Sequence, residues 1–326
     1  MSNAIAEARQ RWIAEREEYE AFGLYLKSSI QAALREVGVY AELSVRAKEV
    51  HSLVKKLLAK KHLSYDTLPD RVGARITVRL RSELPKVQDA IAAKFRFVKA
   101  DDKSVELKTD RVGYQSIHID GLALADTDSE IQRFPSERFF AEVQLRTHAQ
   151  HLWSELSHDA FYKNDATVTS IPDDLLRRLN LMAGLIEVAD REFDKMTAEI
   201  PTDEAVALYR GLEPYYYRLC AVKPNADLSL TVINLLRPLY GNESTSQILN
   251  DHIAKTFQEA EGMLHHVYDD PDLEGPEKSV FVNQPEALLI YDRLLADRDS
   301  TLSAWNQEFP PEELEKVATL FGISLD

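Results

Sequence analysis

A chain of 326 residues with 44% hydrophobic and 29% charged side chains is long enough to bury a full core and exceeds the usual single-domain size,. Its apolar runs are too short to span a bilayer and "MSNAIAEARQRW" lacks the apolar stretch of a secretory leader, so a cytoplasmic protein with no membrane association is expected,. Cys220 is the single cysteine, which excludes an internal disulfide and a cysteine-based metal cluster,.

The net charge of -15 is unevenly spread: residues 1–165 hold 26 Lys+Arg against 25 Asp+Glu, and residues 166–326 hold 13 against 29. The acidic second half argues against a broad nucleic-acid surface there, whereas the near-neutral first half can gather its cations in one anion-binding cleft.

Apolar residues recur at helical spacing over 5–36 and again from Val45 to Leu58, which predicts two opening helices,. From Arg75 the period becomes two: Ile76, Val78 and Leu80 alternate with polar neighbours. The alternation returns at 116–120 and 141–146, where Ile117 and Ile119, then Ala141, Val143 and Leu145, are interleaved with Ser116, His118, Asp120, Glu142, Gln144 and Arg146. Each of these strands has one apolar and one charged face. Weaker strands are expected at 94–100 and 104–108, with a helix over "LPKVQDAIAAKF" before them. Beyond the last strand, Ala149, Leu152, Trp153, Leu156 and Ala160 read as the buried stripe of a helix, and 172–196 as a long amphipathic helix opening on Pro172 and Asp173,. From about residue 202 the pattern is helical to the end, punctuated by prolines, with no repeat period,. The expected fold class is therefore α/β (α+β): a mixed β-sheet flanked by helices over residues 1–200, followed by an all-helical domain over 201–326.

Three clusters carry candidate chemistry. Lys48, Ser52 and Lys56 stand at i, i+4 and i+8, one helix face suited to a polyphosphate, with Arg46 beside them; taken alone, such a stripe is more often a solvated face,. Asp70 precedes a strand in "PDRVGARITV", where Gly73 permits close backbone approach and Arg75 opens the polar face; it suits Mg2+, which takes one or two carboxylates plus phosphate oxygens, or a plain turn,. Glu142 and Gln144 project from one strand face, where the carboxylate can share a metal with Asp70 or accept a proton,. The plain alternative is an exposed sheet face with cross-strand ion pairs. Against it, three strands all place charge on one side.

In order, these motifs resemble the (p)ppGpp synthetase domain of the RelA/SpoT family, and especially its small single-domain alarmone synthetases, over about residues 44–163. The resemblance rests on Arg46, Lys48, Ser52 and Lys56; on Asp70, Gly73 and Arg75; on Gly113, Tyr114, Ser116 and His118; on Glu142, Gln144, Arg146 and Thr147; and on Trp153, Glu155 and His158. It implies a nucleotidyltransferase-like pyrophosphokinase that moves the β,γ-pyrophosphate of ATP to the ribose 3'-oxygen of GDP or GTP. By the same resemblance Arg46 and Arg75 would sandwich adenine, and Lys48, Ser52 and Lys56 would hold the ATP phosphates. Asp70 and Glu142 would bind Mg2+ as the catalytic carboxylates, with Glu142 also activating the 3'-hydroxyl. Tyr114, His118 and Gln144 would line the acceptor pocket. One departure stands out: "LKTDRVGYQ" has Thr109 and Asp110 where family members that make ppGpp commonly carry Pro-Lys. That leaves Lys108 and Arg111 to meet the acceptor's 5'-phosphates, and keeps open two other acceptors, the 3' end of tRNA and an adenosine nucleotide. A non-catalytic nucleotide sensor is disfavoured because Asp70 and Glu142 are both present. Residues 201–326, which minimal small synthetases lack, suit a regulatory, neutralising or oligomerising role.

Overall fold

The computed structural model describes residues 3–60, 62–102, 116–157, 172–199, 203–269 and 279–325. They fall into two compact units, one of residues 1–34 and 41–199, the other of residues 35–40 and 200–326.

The first unit is built on a mixed sheet. Its elements are α1 (Asn3–Glu36), β1 (Ala41–Ala47), α2 (Val50–Ala59), β2 (Val72–Val78), α3 (Glu83–Lys94), β3 (Phe95–Arg96), β4 (Lys99–Asp102), β5 (Ile117–Leu124), β6 (Ala141–Thr147), α4 (His148–Ser157) and α5 (Asp173–Glu199). The strand order is β1-β2-β6-β5-β3, with β4 also on β5. Among the described residues only the β2–β6 pair is parallel. Register aligns the alternation seen in the sequence: Ala74 lies opposite Val143, and Val143 opposite Ile119, so apolar residues of the three strands share one face, and all three are buried. α1 covers that face. A Cβ added to Gly23 would stand 3.6 Å from Val45 and 3.9 Å from Val72, so the helix approaches the sheet closely there. α3 packs against β6. The aromatic residues Trp12, Tyr19 and Phe22 of α1 are fully buried among Tyr65, Phe134 and Phe139.

Residues 41–47 are a strand, not the start of the helix expected from Val45. "AELSVRA" alternates as a strand does, and its ladder to β2 supplies the hydrogen bonds a helix would have made internally,. Arg46 therefore sits on β1, Lys48 lies in the short link that follows, and only Ser52 and Lys56 stand on α2. α4 also departs from expectation, because Leu152 and Leu156 are 58% and 62% exposed while Gln150 and Ser157 are buried. Gln150 is held at the start of the helix, its Oε1 accepting from the Thr147 N–H at 3.1 Å, and Glu155 reaches Arg75 of the sheet at 3.2 Å. α5 is anchored by polar contacts, Thr147 Oγ1 to Asp190 Oδ2 at 3.0 Å and the Ser82 hydroxyl to Asp194 at 2.9 Å. Residues 104–108, Ala160 and His158 lie outside the described residues.

The second unit is helical among its described residues: α6 (Glu204–Leu219), α7 (Ala226–Leu236), the single turn α8 (Thr245–Gln247), a π-helical segment Ile248–Ile253, α9 (Ala254–Tyr268), α10 (Ala287–Ala296), α11 (Arg298–Trp305) and α12 (Pro311–Leu320). Asp203 and Asn225 cap α6 and α7 with their side-chain oxygens,. Tyr216 and Tyr217 pack between helices, and Cys220 is buried beside Tyr216. Among the described residues no helix of either unit is long and apolar enough to cross a membrane.

Candidate active site

The polar face of the sheet is the floor of the candidate site. Arg46 of β1 lies opposite Gly73 of β2, and Gly73 opposite Glu142 of β6. One step along, Ser44, Arg75, Gln144 and His118 form a second row across four strands. Paired residues in a ladder share a face, so Arg46, Arg75, Glu142, Gln144 and His118 all project to the same side. A Cβ at Gly73 would meet nothing within 4 Å, so the floor is open between Arg46 and Glu142.

Asp70 stands at the edge of this floor, in the turn before β2. Its Oδ2 accepts from Lys48 Nζ at 2.5 Å and lies 2.7 Å from Lys56 Nζ, and all three side chains are at most 20% exposed. Burial pushes the Asp70 carboxyl up, but the hydrogen bonds and charges of the two lysines outweigh it, leaving the group below the ordinary aspartate range,. Its other oxygen, Oδ1, is buried without a hydrogen-bond partner. Glu142 faces His118, with Nδ1 and Oε1 3.5 Å apart. The hydrogen bond from His118 draws the Glu142 carboxyl below its usual range, burial and the nearby Asp70 charge push back, and Lys56 adds a pull downward. Both carboxylates are therefore ionised at neutral pH.

α4 closes one end of the floor through Glu155. Its Oε1 is 3.2 Å from Arg75 Nη1, 4.0 Å from Arg146 Nη2 and 3.8 Å from His151 Nδ1. Arg146 is 1% exposed, so the outer part of the sheet's polar face is buried beneath this helix. Burial and then the charges of Arg146 and Arg75 hold His151 below the ordinary histidine range.

Of the residues singled out in the sequence, Lys48, Lys56 and Asp70 are in direct contact. Arg46, Arg75, Glu142, Gln144 and His118 share the floor, and Ser52 stands one turn before Lys56 on α2. Lys108, Arg111 and Tyr114 lie outside the described residues. Two residues invisible to periodicity also shape the site. Arg71, beside Asp70, is 3% exposed among aromatic rings, and Trp12 of α1 donates its indole N–H to the Lys48 carbonyl at 3.0 Å. The only sequence signal for Trp12 was its place on an apolar helix face, which says nothing of its donor.

Over residues 45–167 the chain matches the model of the region found in RelA / SpoT proteins. Those residues are a RelA/SpoT domain. The chain is 24% identical over 162 residues to GTP pyrophosphokinase YjbM of Bacillus subtilis (strain 168), spanning 49% of this chain and 73% of that protein. Among solved structures, small alarmone synthetase 1 from Bacillus subtilis aligns with a TM-score of 0.47 and 20% identity over 59% of this chain and 98% of that one. Small alarmone synthetase 2 from the same organism aligns with a TM-score of 0.46 and 24% identity over 58% and 100%. The RelA/SpoT domain contains Arg46, Arg75, His118 and Gln144 of the floor, both lysines and both carboxylates. It excludes α1 and the second unit.

Two observations bear on Mg2+. Asp70 Oδ1 is a buried acceptor without a partner, and the charge of Asp70 is close enough to push the Glu142 carboxyl up. Among the described residues no group of three or more His, Cys, Asp or Glu side chains is arranged as a closed metal cage. Two carboxylates with an open side fit a cation that completes its shell with water and phosphate oxygens, which is how Mg2+ binds.

Proposed function

We propose that the first unit is a pyrophosphokinase, transferring the β,γ-pyrophosphate of ATP to the 3'-hydroxyl of a guanine nucleotide, GDP or GTP, with AMP as the other product. The observation that carries this reading is the Lys48–Asp70–Lys56 cluster at the edge of the floor that holds Glu142. Two half-buried lysines are a phosphate site only if something anionic can displace their present partner. A triphosphate does so, since it offers several oxygens where Asp70 offers one. The relative YjbM is named a GTP pyrophosphokinase, and relatives of known structure have been solved with pppGpp and with AMPCPP. Those names support the reaction class.

In this reading Lys48 and Lys56 hold the ATP phosphates, with Ser52 on the same side of α2. Arg46 and Arg75 flank the adenine from β1 and β2. Asp70 and Glu142 would hold Mg2+, which when bound neutralises charge on the transferring group. Glu142, ionised and exposed to the open floor, accepts the proton of the attacking 3'-hydroxyl, and His118 keeps that carboxylate ionised and oriented. The attack is in line on the β-phosphorus: the new bond is acceptor O3'–Pβ, the broken bond is the α,β-bridging O–Pβ bond, and the electron pair leaves on AMP. Gln144 and His118 face the acceptor, and Tyr114, Lys108 and Arg111 are assigned to it on sequence resemblance.

With ATP and magnesium, AMP should form only when an acceptor with a free 3'-hydroxyl is supplied, and mass spectrometry should find that acceptor heavier by one pyrophosphate. GDP and GTP are the expected acceptors; tRNA and adenosine nucleotides are the arms that would redirect the assignment. ADP and orthophosphate from ATP alone, with no AMP under any acceptor, would exclude the proposal.

A further inference from the structure

Lys48 occupies the short link between β1 and α2, one residue past the end of the strand. Both of its backbone groups are committed. Its N–H donates to the Arg71 carbonyl at 2.8 Å, and its carbonyl accepts from the Trp12 indole at 3.0 Å. Each partner is itself immobilised. Trp12 is fully buried, with its ring centroid 5.1 Å from that of Tyr19 and 6.5 Å from that of Tyr65. The Arg71 guanidinium lies 5.0 Å from the Tyr19 ring, 5.2 Å from Tyr65 and 5.0 Å from Phe140, and it donates to the Arg138 carbonyl at 3.3 Å. Next to Lys48, Glu49 is bound by Arg16 of α1 at 3.0 Å. On the far side of α2, α1 also grips Tyr65 through Glu15 at 2.8 Å and Asp66 through Arg11 at 2.7 Å.

We infer that Trp12 is a positioning residue for the donor-phosphate site, holding Lys48 by its main chain so that the ammonium meets Asp70 and, when present, the ATP phosphates. This rests on the assignment of Lys48 to ATP made above. It makes α1, which precedes the RelA/SpoT domain, part of the donor site. The chain of contact is short: indole to carbonyl, lysine to carboxylate, and Arg71 joined covalently to Asp70 while bonded to the Lys48 N–H. A lysine on an unpinned link could reach the phosphates in many conformations, and the freedom lost on binding would weaken the complex.

The test compares Trp12→Phe, which keeps an aromatic ring but loses the N–H donor, with Tyr25→Phe, which loses another hydrogen bond of the same helix, the one to Asp128 at 2.7 Å. Losing one hydrogen bond of ordinary strength corresponds to roughly a fivefold to tenfold change in affinity. Trp12→Phe should raise the KM for ATP by about that factor and weaken calorimetric binding of magnesium and a non-hydrolysable ATP analogue equally, leaving the acceptor KM within about twofold. Tyr25→Phe should change neither. Lys48→Ala separates the two levels of the argument. If it leaves analogue binding intact, the donor site itself is misassigned; if it weakens binding while Trp12→Phe binds as wild type, only the positioning role falls. Should Trp12→Phe not fold, the wild-type protein decides: the indole N–H resonance of Trp12 should move on adding the analogue, while that of Trp305, which donates to Pro310 in the second unit, stays fixed. An unmoved Trp12 resonance would overturn the inference.

Discussion

Glu142→Gln should lower kcat by about a hundredfold or more at saturating ATP and acceptor, with every acceptor tried. The substitution preserves shape and removes charge where, in the proposed reaction, a cation is held and a proton is accepted. Losing one such charge in a water-poor site costs a few kcal/mol of transition-state stabilisation, which is the quoted factor in rate. Binding of the ATP analogue should change far less, because the lysines that hold its phosphates are untouched. His118 makes the comparison sharper. Since its hydrogen bond is the largest influence holding the Glu142 carboxyl low, His118→Phe should let that carboxyl rise, so the rate falls away at a higher pH on the acid side than in wild type. Rates of wild type and Glu142→Gln that agree within a factor of about three would remove Glu142 from the chemistry.

The second large effect belongs to the helical unit. Glu286, just before α10, is 0% exposed, and neither carboxylate oxygen meets a hydrogen-bond donor. Burial pushes its pKa up to about 8. The folded group is therefore protonated at neutral pH, while in the unfolded chain it ionises near its ordinary value of about 4.3. The stability it contributes is fully present below that value and is lost by about 1.4 kcal/mol per pH unit as pH rises toward 8. Over the whole window this amounts to on the order of 3–5 kcal/mol. Glu286→Gln removes the titration, so denaturant unfolding of the variant at pH 5, 6, 7 and 8 should lose this part of the slope and cross above wild type at the alkaline end. Parallel slopes in the two proteins would show that Glu286 has a partner or reaches water.

Much of the site was legible because the sheet alternates. β2, β5 and β6 each place charge on one face, and their register brings Arg75, Gln144 and His118 into a single row. β1 was not legible: seven residues with two alanines run straight into α2, and the partner that makes them a strand, β2, is distant in sequence. The error mattered, since it put Lys48 on a helix face instead of on a link that needs outside support. The α4 stripe was misread for a related reason. Periodicity finds the apolar side of a helix, but which side turns inward depends on the neighbour, and here the neighbour is Arg75 and Arg146. Trp12 and Arg71 belong to no pattern at all, because a hydrogen bond from an indole and a cage of rings around a guanidinium join residues whose separation in sequence is arbitrary.

The proposed reaction differs from ordinary phosphoryl transfer in the unit that moves. ATP carrying distinguishable phosphorus isotopes at the β and γ positions, incubated with magnesium and GDP or GTP, should deliver both labels together to the acceptor's 3'-oxygen and leave AMP unlabelled. Transfer of the γ label alone, with ADP retaining the β label, would contradict the account.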